Sequence, residues 1–136
     1  MPRYFVDTFY WVALSDVRDQ WHTRVMAFSR SLREYHFYTA DEVLAEYLTF
    51  YSAARPQTRA DAVQTVRNIL RDPHITVLPQ SHSSFLDAFT LYASRSDKEY
   101  SLVDCVAMQT MRREGLTEVL TNDHHFTQEG FHILFP

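Results

Sequence analysis

Four acidic residues stand at positions where a carboxylate could do chemistry, and Asp104 is the most unusual of them. It lies in the stretch YSLVDCVAMQTMRREG, which has the pattern of an amphipathic helix preceded by Ser101. At about 100° per residue, Ala107, Met108 and Met111 fall within roughly 60° of Asp104 around that helix. A carboxylate in the middle of an apolar stripe therefore needs an explanation.

The other three acids lie near the predicted ends of strands. Asp7 directly follows the short apolar run Tyr4–Val6, and Asp123 comes two residues after Thr121 at the end of another predicted strand. Glu46 lies one turn into the predicted helix that follows the second predicted strand, His36–Ala40. In open α/β sheets, ligands bind outside the carboxyl ends of the strands, so the pattern predicts that all four acids meet at one edge of the sheet.

Each acid also has a local explanation that involves no ligand. These are a helix cap for Asp7 or Thr8, a turn residue for Asp123, a capping partner of Ser101 for Asp104, and a solvated helix face for Glu46. Four converging carboxylates, however, would repel one another and raise each other's pKa values unless a divalent cation neutralised them. Carboxylate oxygens suit Mg²⁺ or Mn²⁺, and such sites hydrolyse phosphodiesters.

The elements that must position these acids alternate along the chain. Strands are predicted at Tyr4–Val6, His36–Ala40, His74–Leu78, Thr117–Thr121 and Phe131–Phe135. A short helical turn and five longer helices are predicted between the strands. The longer helices cover about Asp16–Glu34, a segment that begins at the Thr39/Glu42 capping-box spacing, Gln57–Asp72, a segment capped near Ser81–Ser84, and the Asp104 helix, which ends before Gly115. Alternation predicts a three-layer α/β/α sandwich around a central, mostly parallel five-stranded sheet, as a single domain over residues 1–136.

Composition narrows the class of protein. The chain has 136 residues with only two glycines, no GxGxxG or Walker sequence, and a net charge of −4, which disfavours nucleotide cradles and a generic basic nucleic-acid binder. Cys105 is the single cysteine, so no internal disulfide can form. The sequence has no secretory signal pattern and no apolar run of about 18 residues, so we expect a cytoplasmic protein without membrane association.

Other chemically capable residues have simpler interpretations. His124 and His125 are expected to be a surface pair rather than a zinc site, and Cys105 a small core residue rather than a nucleophile. The aromatic residues are expected to be mostly core, with an exposed remainder at a subunit contact; they are Phe37, Tyr38, Tyr47, Phe50 and Tyr51.

Four segments together resemble the PIN-domain ribonucleases in order and spacing: FVDTFYWVAL, TADEVLAEYLTF, DKEYSLVDCVAMQTMRREG and TEVLTNDHHFTQEGFHIL. They cover nearly the whole chain, and the last two, with an acid inside SLVDC and a TxD..F...GF ending, are the specific ones. The resemblance implies a PIN-like α/β/α fold. It places the four family acids on Asp7, Glu46, Asp104 and Asp123, and the hydroxyl residues that support them on Thr8, Ser101 and Thr121.

The resemblance also implies a function. The family hydrolyses RNA with Mg²⁺ or Mn²⁺, and many compact members are VapC-like toxins of type II toxin–antitoxin pairs. We therefore expect an RNA substrate and a small antitoxin partner. Basic residues around the rim, Arg112 or Arg113 among them, are candidates to hold the RNA backbone, but the sequence does not choose among the twelve arginines. The aromatic content of 15%, concentrated in Phe37–Tyr51, predicts a homodimer. The alternative is a PIN-fold module that binds RNA or protein without turnover; the intact acid set favours the enzyme.

Overall fold

The computed structural model describes residues 1–136 and contains one five-stranded sheet. The strands are β1 (Arg3–Val6), β2 (His36–Ala40), β3 (Ile75–Leu78), β4 (Glu118–Leu120) and β5 (His132–Ile133). Their order across the sheet is β3-β2-β1-β4-β5, and every neighbouring pair is parallel. The predicted α/β/α architecture with a parallel central sheet is thus confirmed, although β5 is shorter than expected.

Seven helices connect and cover the strands. They are α1 (Thr8–Ser15), α2 (His22–Ser31), α3 (Asp41–Phe50), α4 (Pro56–Arg71), α5 (His82–Ser94), α6 (Leu102–Glu114) and α7 (His125–Gln128). α1 packs against α2 and α3, α3 also contacts α4 and α6, and α5 lies along α6. No helix combines the length and apolar character that crossing a membrane requires.

The central strand β1 is covered on both sides. Tyr4, Phe5 and Val6 follow one another and are all buried, although successive side chains point to opposite faces of a sheet. Such a strand belongs in the middle of a parallel sheet with helices on both faces. The chain leaves β1 toward β2 on one side and reaches β4 on the other, so the gap between β1 and β4 is the topological switch point of the sheet, where ligands bind in this class of fold.

The helix predicted over Asp16–Glu34 is shorter than expected. Its first part forms turns, because Asp16 Oδ1 accepts a hydrogen bond from the backbone N–H of Arg18 (3.0 Å) and Asp19 Oδ1 accepts one from that of Trp21 (2.8 Å). Aspartate side chains that bind the backbone two residues ahead compete with helical hydrogen bonds. The prediction relied on apolar spacing and was therefore wrong for residues 16–21, which precede α2. The short helical turn predicted before Asp16 is the two-turn helix α1.

The capping box predicted at Thr39 and Glu42 does not form. Thr39 belongs to β2 and is fully buried, and its hydroxyl donates to the carbonyl oxygen of Val6 on the neighbouring strand (3.0 Å). α3 begins at Asp41 without a side-chain cap. By contrast, α6 has the predicted ends, because Ser101 caps it and Gly115 takes the left-handed conformation (φ 67°) just past its last turn.

The aromatic residues predicted around α3 are mostly core with an exposed remainder, as expected, and further exposed aromatic residues lie on α5. Tyr47 and Tyr51 are buried, and Phe50 is the exposed member of the set predicted around α3. A second group lies on α5, where Phe89 and Tyr92 are each about half exposed. The large exposed apolar face therefore belongs to α5, which the sequence pattern did not single out.

A buried carboxylate ties the C-terminal part of the site to the rest of the fold. The side chain of Glu129, 5% exposed, accepts hydrogen bonds from Arg95 Nε (2.9 Å), Arg112 Nη2 (2.8 Å) and the hydroxyl of Tyr100 (2.9 Å). Burial would raise the pKa of Glu129, but these hydrogen bonds lower it to about 2. One side chain thus joins the end of α7 to α6 and to the segment between α5 and α6.

We expect Glu129→Gln to lower the free energy of unfolding by roughly 2 kcal/mol, because hydrogen bonds between charged groups are lost while both arginines stay partly in water. The pKa of Glu129 is about 2 in the fold against an ordinary value of 4.5. The carboxylate therefore stabilises the fold above that ordinary value, and the difference between wild type and variant should shrink as the pH falls toward 2.

Urea unfolding at several pH values measures this effect. The matched control is Glu118→Gln, since the Glu118 side chain is 38% exposed and pairs with an exposed histidine. The control should change stability by less than about 0.5 kcal/mol. A Glu129 variant as stable as this control at neutral pH would show that the Glu129 contacts do not support the fold.

Candidate active site

Asp7 lies at the end of β1, where the strand gives way to α1. It occupies the N-cap position of α1, yet its carboxylate makes no capping hydrogen bond. Instead, Asp7 Oδ2 accepts a hydrogen bond from the hydroxyl of Thr121 (2.8 Å), because β1 and β4 pair with Val6 opposite Leu120. The local explanation of Asp7 as a helix cap is therefore wrong. Its side chain binds Thr121 at the carboxyl edge of the sheet.

The electrostatic surroundings of Asp7 are unfavourable to a charged carboxylate. The residue is only 8% exposed. Burial raises its pKa to about 7; the hydrogen bond from Thr121 opposes that rise, and the carboxylates of Asp104 and Glu46 add to it. These two acids, which are remote in sequence, therefore lie close enough to Asp7 to act on its charge.

Glu46 is oriented by the residue that follows Asp7. The hydroxyl of Thr8, the first residue of α1, donates to Glu46 Oε1 at 2.5 Å. Glu46 lies on α3 and is half-buried, so the solvated face suggested by its local pattern is wrong. Thr8 is predicted to support an acid, and its hydroxyl orients the Glu46 carboxylate, which comes from α3.

Asp104 is both the capping partner of Ser101 and a member of the acid cluster. It is the N3 residue of α6, with its Oδ2 accepting from the N–H of Ser101 and its own N–H donating to Ser101 Oγ, both at 3.0 Å. Its side chain is only 15% exposed, and burial first, then the charge of Asp123, raises its pKa despite the hydrogen bond from Ser101. Ser101 therefore positions Asp104 while it caps the helix.

Asp123 follows β4, and the structure adds a residue beside it. The N–H of Asp123 donates to Thr121 Oγ1 (3.1 Å), and Asp123 Oδ1 accepts from the N–H of His125 (2.9 Å). His125 Nδ1 lies 3.3 Å from Asp123 Oδ1 and 3.5 Å from Asp104 Oδ2. The expected surface pair is right for His124, which is exposed, and wrong for His125, whose position two residues after Asp123 was the available signal.

These residues fit a divalent cation. One ligand atom from each of Asp104, Asp123 and His125 lies within 4.8 Å of the others. Because metal–oxygen distances are about 2–2.6 Å, a single ion between these atoms could contact all three. The buried Nδ1 of His125 makes no hydrogen bond, so this nitrogen is available as a metal ligand. The raised pKa of Asp7, to which Asp104 and Glu46 contribute, reflects an excess of negative charge in the site.

The remaining candidates separate clearly. Cys105 is fully buried, and burial raises the pKa of its thiol to about 11, which confirms a core residue rather than a nucleophile. Arg112 binds Glu129 and Arg113 binds Asp87 (2.6 Å), so both arginines hold carboxylates of the protein itself. That either arginine holds an RNA backbone stays a prediction.

Comparisons with known proteins agree with this fold. The sequence profile of the PIN domain matches residues 4–131. The chain is 26% identical over 129 residues to the 23S rRNA-specific endonuclease VapC20 of Mycobacterium tuberculosis, covering 93% of this chain and 94% of that protein.

Solved structures show the same likeness. The crystal structure of M. tuberculosis VapC20, a sarcin–ricin-loop-cleaving toxin, superposes with a TM-score of 0.82 at 25% identity, over 93% of this chain and 95% of that one. VapBC2 from Rickettsia felis, bound to a promoter DNA fragment, has a TM-score of 0.66 at 12% identity over 98% of this chain and 97% of that one, a likeness of fold alone. The chain belongs to the PIN-domain family.

Replacing Asp7 by Asn should stabilise the metal-free protein at neutral and alkaline pH. Asp7 has a pKa of about 7 in the fold against an ordinary 3.8, so the wild type loses stability as the pH rises between these two values. The neutral amide avoids this loss and can still accept the hydrogen bond from Thr121. Above the folded pKa the gain should be at least about 1 kcal/mol, the scale of one pKa unit.

Thermal melts in chelator from about pH 4 to about pH 8 test this dependence. Asp97→Asn serves as the control, because its side chain is 75% exposed and outside the site. The two variants should behave alike at the acid end and diverge as the pH rises. An Asp7 variant that is less stable than wild type at the alkaline end would contradict the assignment of Asp7 as a strained carboxylate.

Proposed function

We propose that this chain is a metal-dependent endoribonuclease and the toxin of a type II toxin–antitoxin pair. One observation carries the proposal: at the switch point of a PIN fold, Asp7, Asp104 and Asp123 converge from the ends of β1 and β4 and the start of α6, and Glu46 is oriented toward them from α3. A cluster of this charge costs stability in the absence of a cation, so its presence argues for a role beyond folding.

The protein residues have distinct roles in the proposed reaction. Asp7, Glu46, Asp104 and Asp123 would hold Mg²⁺ or Mn²⁺. An ion bound there supplies positive charge against the scissile phosphodiester and promotes attack by water.

Three residues keep these carboxylates in place before any ligand arrives, the two threonines through their hydroxyls and Ser101 through its backbone N–H. Thr121 donates to Asp7 (2.8 Å) and Thr8 to Glu46 (2.5 Å), while Ser101 holds Asp104 by its capping contacts (3.0 Å). Preorganised side chains lose little freedom when the substrate binds, which favours catalysis.

Structured ribosomal RNA is the first substrate class to test. VapC20, the relative that matches 93% of this chain, is a 23S rRNA-specific endonuclease and cleaves the sarcin–ricin loop. The same similarity supports a cytoplasmic location, where ribosomes are found, and a small antitoxin protein as the partner that holds the nuclease inactive.

Asp104→Asn should separate the metal-site role of Asp104 from its capping role. Asn is nearly isosteric and can still accept from Ser101, so in chelator the variant should be as stable as wild type, or more stable by about 1 kcal/mol. Mn²⁺ should raise the melting temperature of wild type by mass action and that of the variant much less. Cleavage of a sarcin–ricin-loop RNA should fall by about 100-fold or more.

The matched control is Asp61→Asn, an exposed carboxylate on α4 whose contact is with Gln57; it should leave the metal response and cleavage unchanged. Equal Mn²⁺ shifts in wild type and the Asp104 variant would end the assignment of Asp104 as a ligand. Binding of Mn²⁺ and RNA by wild type without cleavage would favour the alternative, a PIN-fold module without turnover.

We also propose a homodimer, supported by the exposed face of α5. Phe85 and Phe89 lie there with their rings stacked at 6.2 Å between centroids, and Phe89 is 53% exposed. Exposed apolar patches of this kind typically mark protein contacts.

Wild type should sediment as a dimer at micromolar concentration, and Phe89→Ser should sediment as a monomer. The control Leu70→Ser replaces an exposed apolar residue on α4 and should leave the dimer intact. A wild type that sediments only as a monomer would rule out the dimer.

A further inference from the structure

His125 is the side chain in the site whose chemistry the four acids do not explain. Its Nδ1 is fully buried and makes no hydrogen bond, although it lies 3.3 Å from Asp123 Oδ1 and 3.5 Å from Asp104 Oδ2. The imidazole side chain is 28% exposed, but this nitrogen is buried and faces two carboxylates at ion-pair distance without a hydrogen bond to either. Such an arrangement of buried polar atoms calls for a specific reason. Here the atom points at two carboxylates that themselves lack a cation.

The imidazole ring is held from two directions. The N–H of His125 donates to Asp123 Oδ1 (2.9 Å), which fixes the backbone next to that acid. The ring of Tyr100 packs against the imidazole, with centroids 5.3 Å apart, and the hydroxyl of Tyr100 is anchored on Glu129 (2.9 Å). His125 is therefore positioned before a ligand arrives, as surrounding contacts do for metal-binding histidines.

The neighbouring residue provides an internal comparison. His124 precedes His125 in the chain and is exposed, with no hydrogen bond or ion pair to another side chain. Both residues are histidines at nearly the same place in the sequence, yet only His125 has its Nδ1 within 4.8 Å of carboxylate oxygens of both Asp104 and Asp123. The difference arises from the start of α7, which turns one ring inward and leaves the other outside.

A nitrogen donor changes which ion the site should prefer. Mg²⁺ is a hard ion that takes oxygen ligands and gives up its water reluctantly. Imidazole nitrogen binds first-row transition ions more readily than Mg²⁺. A set made of two carboxylates and one imidazole is thus better suited to a transition ion such as Mn²⁺ than a site of oxygen ligands alone.

We propose that His125 is a nitrogen ligand of the metal held by Asp104 and Asp123, and that this ligand makes the site select Mn²⁺ over Mg²⁺. The inference rests on the proposed function, since it concerns the same metal site, and it goes further by naming a fifth residue and the ion. Glu129 and Tyr100 act through His125 and are positioning residues.

The direct test detects the nitrogen and needs no variant. Wild-type protein with Mn²⁺ as the probe is measured by pulsed electron paramagnetic resonance, once unlabelled and once with ¹⁵N-labelled histidine. A ligating imidazole should give a nitrogen coupling on Mn²⁺ that changes with the isotope. Bound Mn²⁺ with no histidine nitrogen coupling would overturn the proposal, and so would an absence of Mn²⁺ binding.

Matched variants then locate the nitrogen and test selectivity. His124→Asn should keep the coupling and the affinity for Mn²⁺, whereas His125→Asn should lose the coupling and weaken Mn²⁺ binding by about 10–100-fold. Binding of Mg²⁺ to the His125 variant should weaken far less, so the preference for Mn²⁺ falls. Equal loss for both ions, or a coupling that disappears in the His124 variant instead, would overturn the proposal. Circular dichroism of each variant verifies that it is folded.

The outcomes distinguish this inference from the proposed function. If wild type cleaves RNA equally well with both ions and shows no nitrogen coupling, His125 is not a ligand and the nuclease assignment still stands. If Mn²⁺ binds with a coupling from His125 but no RNA is cleaved, the ligand assignment holds and the nuclease assignment fails.

Discussion

The pairing of β1 with β4 is the constraint on which the site depends. Because Val6 lies opposite Leu120 in a parallel register, the residues that follow the two strands, Asp7 and Thr121, emerge side by side and share a hydrogen bond of 2.8 Å. A shift of one residue would turn these side chains to the opposite face of the sheet. The burial of β1 on both faces makes such a shift costly, so the hydrophobic core fixes the geometry of the carboxylates.

The carboxylates of this site are close enough to repel one another. Asp7 is buried and affected by Asp104 and Glu46, which raises its pKa to about 7. Glu129 has the opposite surroundings, because hydrogen bonds from two arginines and a tyrosine lower its pKa to about 2. The protein thus pairs Glu129 with two arginines, whereas the carboxylates that would meet a cation accept hydrogen bonds but have no arginine or lysine partner. This is the pattern expected where charge is kept for function.

Local and functional roles coincide at Asp104 and Asp123. Asp104 completes a capping box with Ser101, and Asp123 accepts a backbone hydrogen bond two residues ahead. Each contact would be sufficient to account for an acid at that position. They also fix the rotamers of these side chains, so the two explanations are compatible, and the capping contacts prepare the carboxylates for a ligand.

The sequence by itself determined the alternation of strands and helices, the ends of α6 and the acids that lie after β1 and β4, because these follow from apolar periodicity and from contacts within a few residues. Only the tertiary structure decided which side chains meet across the chain. Glu129 takes Arg95, 34 residues away, and Arg112 as partners. His125 and His124 look alike in sequence, and only the packing of Tyr100 and the turn into α7 bring one of them to Asp104. Such choices depend on the relative placement of distant elements, which local patterns do not encode.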